Sequence, residues 1–270
     1  MHLDFSEPAT ERTPRVVSAV KLHRSAGRRK AGLFLVEGVN CVEAAVERGV
    51  ATDIFATEHA AGRFAGLLNT AASAGVYLHP VTDRAGRQLS DTVTPTGLVA
   101  VCRPVLTGLD EALVADPRLV AVPVETSEPG NAGTVIRVAD AVGADSVIFT
   151  GDTVDPQNGK SARASAGSLF HLPVVRYHSH TDVIGKLRER GLTVIATAAD
   201  GELSLDEADR VLGGPTAWLF GNEAHGLPED LLGAADHRIH IPIRGRAESL
   251  NLATAAAICL YASARAQHRS

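Results

Sequence analysis

The sequence has few aromatic residues and few cysteines, and both shortages narrow the class of protein. Its 270 residues include one tryptophan, three tyrosines and seven phenylalanines, so aliphatic side chains and alanine must fill the core. Cys41, Cys102 and Cys259 are far apart and form no C-x-x-C pair, which excludes a disulfide framework and a zinc site of ordinary spacing. We therefore expect free, buried thiols in a reducing cytosol.

Long apolar runs and several common site motifs are also missing. No stretch is long enough to span a bilayer, and the first residues lack the basic start and apolar run of a signal peptide. A cytoplasmic protein with no membrane partner is therefore expected. No G-x-G-x-x-G stands at a strand-to-helix junction, no G-x-S-x-G or H-E-x-x-H occurs, and Val154 replaces the first glycine that a P-loop ending at Ser161 requires. We predict no metal site.

The charge is negative overall but unevenly placed. The net charge of −5 argues against a generally basic nucleic-acid binder. One stretch nevertheless holds only basic charges, namely Arg15, Lys21, Arg24, Arg28, Arg29 and Lys30. A solvated helix face and a patch that contacts phosphates would both have this composition, and composition alone favours neither.

Strand and helix patterns alternate through two blocks. In the first block, short apolar strands are predicted at 33–36, 53–56, 76–78 and 98–102, with helices at 15–27, 39–49, 59–74 and 82–88. Pro104, Gly108 and Pro117 indicate a linker. The predicted organisation is a small N-terminal α/β domain over 1–104, a linker over 105–117 and a second domain over 118–270.

The second block predicts a mostly parallel sheet. It opens with a continuous aliphatic run, 119–124, which is typical of a strand buried on both faces. Further strands are predicted at 146–149, 174–175, 193–196, 217–220 and 238–241, and helices at 131–142, 160–167, 181–190, from 228 and from about 249 to the end.

Three polar loops leave the carboxyl ends of predicted strands in this second block. They follow Val124, Phe220 and Ile243, and in an open α/β sheet ligands bind at that edge. Glycines bracket the second loop, at Gly221 and Gly226, which suits close approach of the backbone to a ligand. The loops should therefore converge on one site, although these residues alone do not name its chemistry.

The same three loops resemble the motifs of a known family. The segments 128–143, 219–227 and 241–251 are similar, in this order, to the first, second and third motifs of the SpoU/TrmH family of RNA ribose 2′-O-methyltransferases. Segment 165–173 also looks like a family segment. The N-terminal part, with Phe34–Gly38, resembles the small substrate-binding domain of the rRNA-modifying members.

The resemblance implies a fold and a set of site residues. It implies an α/β fold whose C-terminal domain contains a deep trefoil knot, a homodimer formed through that domain, and S-adenosylmethionine as methyl donor. Residues expected near the donor are Thr197, Gly221, Asn222, Ile241 and Leu250. Residues expected near the transferred methyl group are Arg137, Glu223, Ser249 and Asn251. Arg137 would fix a phosphate and stabilise developing alkoxide charge, because a guanidinium is almost never deprotonated.

RNA is the expected substrate, and the additional N-terminal domain favours rRNA. The basic residues from Arg15 to Lys30 would then contact phosphates, together with Arg163, Arg244 and Arg246. Two alternatives stay open from the sequence: a tRNA-modifying member of the same family, and a catalytically silent RNA-binding relative.

Overall fold

The computed structural model describes residues 3–113, 116–222 and 224–268. The strands of this part of the chain are β1 (Phe34–Glu37), β2 (Ala51–Ala56), β3 (Tyr77–Pro80), β4 (Leu98–Cys102), β5 (Leu119–Pro123), β6 (Ser146–Thr150), β7 (Val174–Tyr177), β8 (Thr193–Thr197), β9 (Leu203–Ser204), β10 (Thr216–Phe220) and β11 (His237–His240). The helices are α1 (Pro14–Val20), α2 (Ser25–Ala31), α3 (Val39–Glu47), α4 (Glu58–Arg63), α5 (Ala65–Ser73), α6 (Asp83–Leu89), α7 (Leu109–Ala112), α8 (Pro129–Ala141), α9 (Gly159–Ala164), α10 (His180–Glu189), α11 (Asp209–Leu212), α12 (Glu229–Ala234) and α13 (Leu252–Gln267).

The first of two compact units contains Met1–Val105 and Gln157–His171. Its four-stranded sheet has the order β1-β4-β2-β3, in which β4 runs antiparallel to both neighbours and β2 and β3 are parallel. Its core is mainly aliphatic, as the composition requires, and includes Val16, Leu35, Leu89 and Val101 together with Phe55.

The predicted basic helix over 15–27 is wrong as one continuous helix. It is divided into α1, a 3-10 turn at Lys21–His23 and α2, because Arg24 adopts an extended conformation. The turn brings Gly27 against the carbonyl of Lys21, and a Cβ at Gly27 would lie only 2.0 Å from that oxygen. The predicted helix over 59–74 is likewise divided, at Phe64.

Residues Gln157–His171 pack within the first unit, although they follow four elements of the second, α7, β5, α8 and β6, in sequence. The Cys41 thiol donates to the carbonyl of Ala162 at 3.4 Å, and the rings of Phe34 and Phe170 stack with centroids 6.1 Å apart. This grouping differs from the continuous blocks 1–104 and 118–270, because contacts with α3 and β1 come from a segment distant in sequence.

The second unit contains Leu106–Pro156 and Leu172–Ser270. Its seven strands are all parallel, in the order β7-β6-β5-β10-β8-β11-β9, which confirms the predicted α/β class with a parallel sheet. Trp218 on β10 is fully buried, and its Nε1 donates to Ser263 Oγ of α13 at 2.8 Å. Helix α13 therefore attaches to the centre of the sheet.

Several boundaries differ from prediction near the carboxyl ends of the strands. Strand β11 ends at His240 rather than at Ile241, and α13 begins at Leu252 rather than near Ser249. The edge strand β9 and helix α11 were missed, because both are too short to produce a periodic pattern. No helix within the described residues is long and apolar enough to cross a membrane. The cysteines are free and buried, as predicted.

Candidate functional site

A cavity of ≈ 380 Å³ lies at the carboxyl ends of β8, β10 and β11. Parallel strands end at the same edge of a sheet, so the loops that follow them meet there. All five residues predicted to lie near the methyl donor line this cavity, namely Thr197, Gly221, Asn222, Ile241 and Leu250. Ser249 lines it as well, whereas Glu223 lies outside the described residues. The cavity brings these side chains together, and their role as ligands of a cofactor stays a prediction.

The loop after β10 closes on itself as a tight turn. The backbone N–H of Asn222 donates to the carbonyl of Gly226 at 2.9 Å, and the N–H of Gly226 donates back to Asn222 at 2.9 Å. Asn222 Oδ1 accepts from the N–H of Ala224 at 2.8 Å, and Asn222 Nδ2 donates to the carbonyl of Glu125 at 2.6 Å. Asn222 thus joins the second polar loop to the end of β5.

Gly221 is required by the backbone of this turn. A Cβ at Gly221 would lie 2.3 Å from the carbonyl carbon of Gly226 and 2.5 Å from the nitrogen of Leu227. Real Cβ atoms do not approach so closely, so only glycine fits. The bracketing glycines suggested a close approach of the backbone to a ligand. The close approach found here is between two backbone segments of the loop itself.

Residues 242–250, which we call the cavity loop, form the other wall. Within the described part of the chain, no backbone group of 242–250 makes a hydrogen bond. The apolar side chains of Ile243 and Leu250 line the cavity and remain 40% and 36% exposed. A loop with unpaired backbone groups and uncovered apolar side chains can bind a ligand that has both polar and apolar parts.

Asn251 has a structural position that the sequence analysis did not assign to it. It is the N-cap of α13, and its Oδ1 accepts from the N–H groups of Ala253 at 2.9 Å and Thr254 at 3.2 Å. Its Nδ2 donates to Asn131 Oδ1 of α8 at 3.0 Å. Asn251 does not line the cavity. An Asn immediately before an apolar helix is a capping signal, which could have revealed this role from sequence.

Arg137 is exposed on α8 and does not line the cavity. Helix α8 packs against α13, the helix that follows the cavity loop, so Arg137 lies in the same layer of helices as α13. Among the described residues its guanidinium has no hydrogen bond or ion pair. Within one chain, therefore, Arg137 does not line the cavity that contains the residues predicted to bind the methyl donor.

The basic stretch of the first unit is mostly exposed, with one exception. Lys21, Arg24, Arg29 and Lys30 face solvent. Arg28 is only 9% exposed, and its guanidinium donates to the carbonyls of Leu22 at 3.3 Å and His23 at 3.1 Å. These bonds stabilise the 3-10 turn and remove the group from solvent. Arg28 is therefore not presented to solvent as the other basic residues of this stretch are, and its contact with a phosphate stays a prediction.

Of the other arginines that were predicted to contact phosphates, three form ion pairs with carboxylates and one does not, within the described part of the chain. Arg15 lies 3.2 Å from Asp53, and Arg163 forms ion pairs with Asp91 and Glu37 in the first unit. Arg244 pairs with Asp206 at 2.6 Å, whereas Arg246 is exposed. Arg163 therefore stabilises the packing of its own segment, and its phosphate role stays a prediction.

Apolar lining residues were missed by the sequence analysis. They contribute the hydrophobic part of the cavity and include Ala198, Phe220, Ile239, Leu252 and Ala255. Their positions at strand ends and in the first turn of α13 resemble ordinary core positions, so no local signal distinguished them. Among the described residues, no group of three or more His, Cys, Asp or Glu side chains could hold a metal ion.

Comparison with protein families shows two matches that together cover most of the chain. The model of the SpoU rRNA methylase family matches residues 118–261, and that of the MRM3-like substrate binding domain matches residues 13–100.

Individual relatives match across both regions. The chain is 34% identical to the 23S rRNA (guanosine(2553)-2′-O)-methyltransferase RlmP of Bacillus subtilis, over 89% of this chain and 92% of the relative. It is 34% identical to the 23S rRNA (uridine(2479)-2′-O)-methyltransferase of Streptomyces viridochromogenes, over 88% and 84%.

Solved structures are similar over nearly the whole chain. The SpoU methyltransferase AviRb from Streptomyces viridochromogenes, in complex with the cofactor AdoMet, superposes with a TM-score of 0.84 at 30% identity and covers 96% of this chain and 100% of that one. An AdoMet-bound rRNA methyltransferase from Sinorhizobium meliloti gives a TM-score of 0.82 at 28% identity, covering 94% and 95%.

Proposed function

The chain belongs to the SpoU rRNA methylase family, and we propose from this premise that it transfers a methyl group from S-adenosylmethionine (AdoMet) to a ribose 2′-hydroxyl of rRNA. One observation carries the proposal. The second and third family segments, which are separate in sequence, enclose a single cavity of ≈ 380 Å³ at the carboxyl edge of the parallel sheet. That is the edge where ligands of open α/β sheets bind.

The residues around the cavity fit the methyl donor. Ile243 and Leu250 present uncovered apolar surface, and the cavity loop offers unpaired backbone groups to the polar parts of a nucleoside and an amino acid. Thr197 contributes a side chain whose hydroxyl donates to the carbonyl of Leu219 at 3.0 Å, which fixes the cavity wall. When bound, AdoMet supplies an electrophilic methyl group on a sulfonium.

The protein residues then have to position a ribose hydroxyl and stabilise the charge that it develops. Ser249, on the cavity wall, is suited to orient the hydroxyl. Arg137 is suited to fix the adjacent phosphate and stabilise an alkoxide, and Glu223 to orient a neighbouring cation. Because Arg137 lies outside its own chain's cavity lining, we assign it to the cavity of a partner subunit.

A homodimer is supported by an exposed apolar strip on α13, where Ile258 and Tyr261 are solvent-accessible. Such a strip, on a helix whose other apolar side chains are mostly buried, suits a second copy of the same surface. We further propose the trefoil knot of the family, in which the last strand and helix thread through an earlier loop. In support, β11 lies between β8 and β9, two strands that are consecutive in sequence.

Ribosomal RNA is favoured over tRNA because relatives that match both units carry 23S rRNA in their names. The first unit supplies exposed basic side chains, Lys21, Arg24, Arg29 and Lys30, for phosphate contacts. The cytoplasm is the proposed compartment, since rRNA is modified there in bacteria.

The test combines cofactor binding with methyl transfer. We expect calorimetry to show one AdoMet site per chain, and tritiated AdoMet to label unmethylated 23S rRNA transcript. Arg137→Ala should keep the AdoMet Kd and reduce turnover by about 100-fold or more, since groups that stabilise developing charge contribute at that level. Arg190→Ala, at the exposed end of α10, is the matched control and should retain full turnover.

Binding of RNA without AdoMet would favour the silent relative. Labelling of tRNA in preference to rRNA would favour the tRNA-modifying alternative.

A further inference from the structure

Among the residues that the structure describes, one polar side-chain contact attaches the cavity loop to the rest of the second unit. Within the described residues, the only hydrogen bond or ion pair made by 242–250 joins Arg244 Nη2 to Asp206 Oδ2, at 2.6 Å. Beyond Leu250 the chain is fixed again by the Asn251 cap of α13. In the described part of the chain, the Arg244–Asp206 pair is therefore the one polar contact of a segment that contributes Ile243, Glu248, Ser249 and Leu250 to the cavity wall.

Asp206 is a firmly placed partner. It lies in a 3-10 turn, Leu205–Glu207, directly after β9, and β9 is paired in parallel with β11. A contact at Gly201 also joins the segment before β9 to β11, because the carbonyl of Gly201 lies 2.8 Å from His240 Nδ1. A second such contact is made by Glu202, which accepts from the backbone N–H of Arg238 at 2.9 Å, a bond that lowers the pKa of Glu202. Asp206 thus connects the loop to the sheet edge.

The pair itself is easily exchanged. The side chains of Arg244 and Asp206 are 80% and 55% exposed, and pairs of this kind change an equilibrium constant by only about 1.5- to 5-fold. A guanidinium binds a phosphate in a planar, bidentate manner, which is stronger than an exposed pair with a carboxylate. Phosphate is also abundant where a ribose is presented to the cavity, because every reacting ribose has a phosphate next to it.

We propose that Asp206 is a positioning residue that holds the cavity loop through Arg244 until an RNA phosphate replaces it. Asp206 occupies the place that the phosphate takes, so it keeps the loop ordered for AdoMet in the absence of RNA and competes with RNA for Arg244. This inference rests on the proposed function, since it takes RNA and AdoMet as the ligands of the cavity.

The proposal predicts opposite effects of one substitution on the two ligands. In Asp206→Asn, binding of unmethylated 23S rRNA transcript, measured by filter binding, should tighten by about 2- to 5-fold, because the competitor has gone. Binding of AdoMet without RNA, measured by calorimetry, should weaken by about 2- to 5-fold, because ordering the released loop then opposes binding. Arg244→Gln should weaken RNA binding and reduce its salt slope by about one.

Asp209→Asn is the matched control. Asp209 pairs with Arg265 at 2.6 Å, its side chain is 53% exposed against 55% for Asp206, and neither residue of the pair belongs to the cavity loop. It removes the same charge and should leave both dissociation constants unchanged. In the Arg244→Gln background, Asp206→Asn should have no further effect on RNA binding.

The proposal is overturned if Asp209→Asn tightens RNA binding as much as Asp206→Asn, because the effect would then be general charge removal. It is also overturned if Asp206→Asn acts equally with and without Arg244, or changes neither constant. Both readouts are binding measurements, whereas the proposed function is tested by methyl transfer, so the two can fail independently. Opposite shifts without methyl transfer would contradict the function alone, and transfer with no shift would contradict this inference alone.

Discussion

Replacement of Asn251 tests how the third polar loop is anchored to the body of the second unit. Asn251→Ala removes the acceptor for the N–H groups of Ala253 and Thr254 and the donor to Asn131. Loss of an Asn N-cap costs about 0.5–2 kcal/mol, and one side-chain hydrogen bond contributes about 0.5–1.5 kcal/mol. Because Asn251 is exposed, we expect the free energy of unfolding to fall by about 1–2 kcal/mol.

The single tryptophan provides the assay. Trp218 is buried and hydrogen-bonded to α13, so its fluorescence in a urea titration reports the unfolding of the unit that Asn251 stabilises. Asn251→Asp is the matched variant, because a carboxylate retains the cap acceptor and suits the positive end of the helix. It should cost less than about 1 kcal/mol. An unchanged transition in Asn251→Ala, or equal losses in both variants, would refute the capping role.

Three further substitutions follow from the packing. Gly221→Ala forces a Cβ into the backbone of its own turn and should weaken AdoMet binding by about tenfold in calorimetry, whereas Gly233→Ala, where a Cβ meets open space, should leave it unchanged. Ser263→Ala leaves the buried Nε1 of Trp218 without an acceptor and should lower the free energy of unfolding by about 1–3 kcal/mol in urea titrations followed by circular dichroism; a neutral result would contradict this. Burial raises the pKa of Cys41 to about 11, so the folded state retains this proton more tightly than the unfolded chain, and stability is lost as pH rises from about 8.5 to about 11. The decrease in the free energy of unfolding over this pH range should be smaller in Cys41→Ser. Identical pH profiles of stability in the two proteins would refute this contribution of Cys41.

The strands and the place of the site were predictable because their signals are local. The run at Leu119–Pro123 is continuously aliphatic, as a strand buried on both faces must be, and parallel strands necessarily end at one edge. Hence Gly221, which follows β10, and Ile241 and Leu250, which follow β11, could be expected in one cavity before any coordinates were considered.

Features that depend on distant contacts were not predictable from the same signals. A basic residue in a basic stretch resembles a solvated one, yet Arg28 is buried because a turn formed at Lys21–His23 presents carbonyls to it. Segment 157–171 has its own helical pattern, but its place in the first unit is determined by partners such as Cys41, more than a hundred residues away. Asp206 likewise has no local signal, because its partner is Arg244.

The most direct test of the central claim is the chemical identity of the product. Purified protein, AdoMet and unmethylated 23S rRNA transcript would be incubated together, and the RNA digested to nucleosides for mass spectrometry. We predict one ribose 2′-O-methylated nucleoside, formed at a single position and absent when AdoMet is omitted. RNA without new 2′-O-methylation, or with methylation on a base, would contradict the assignment of this cavity to ribose methyl transfer.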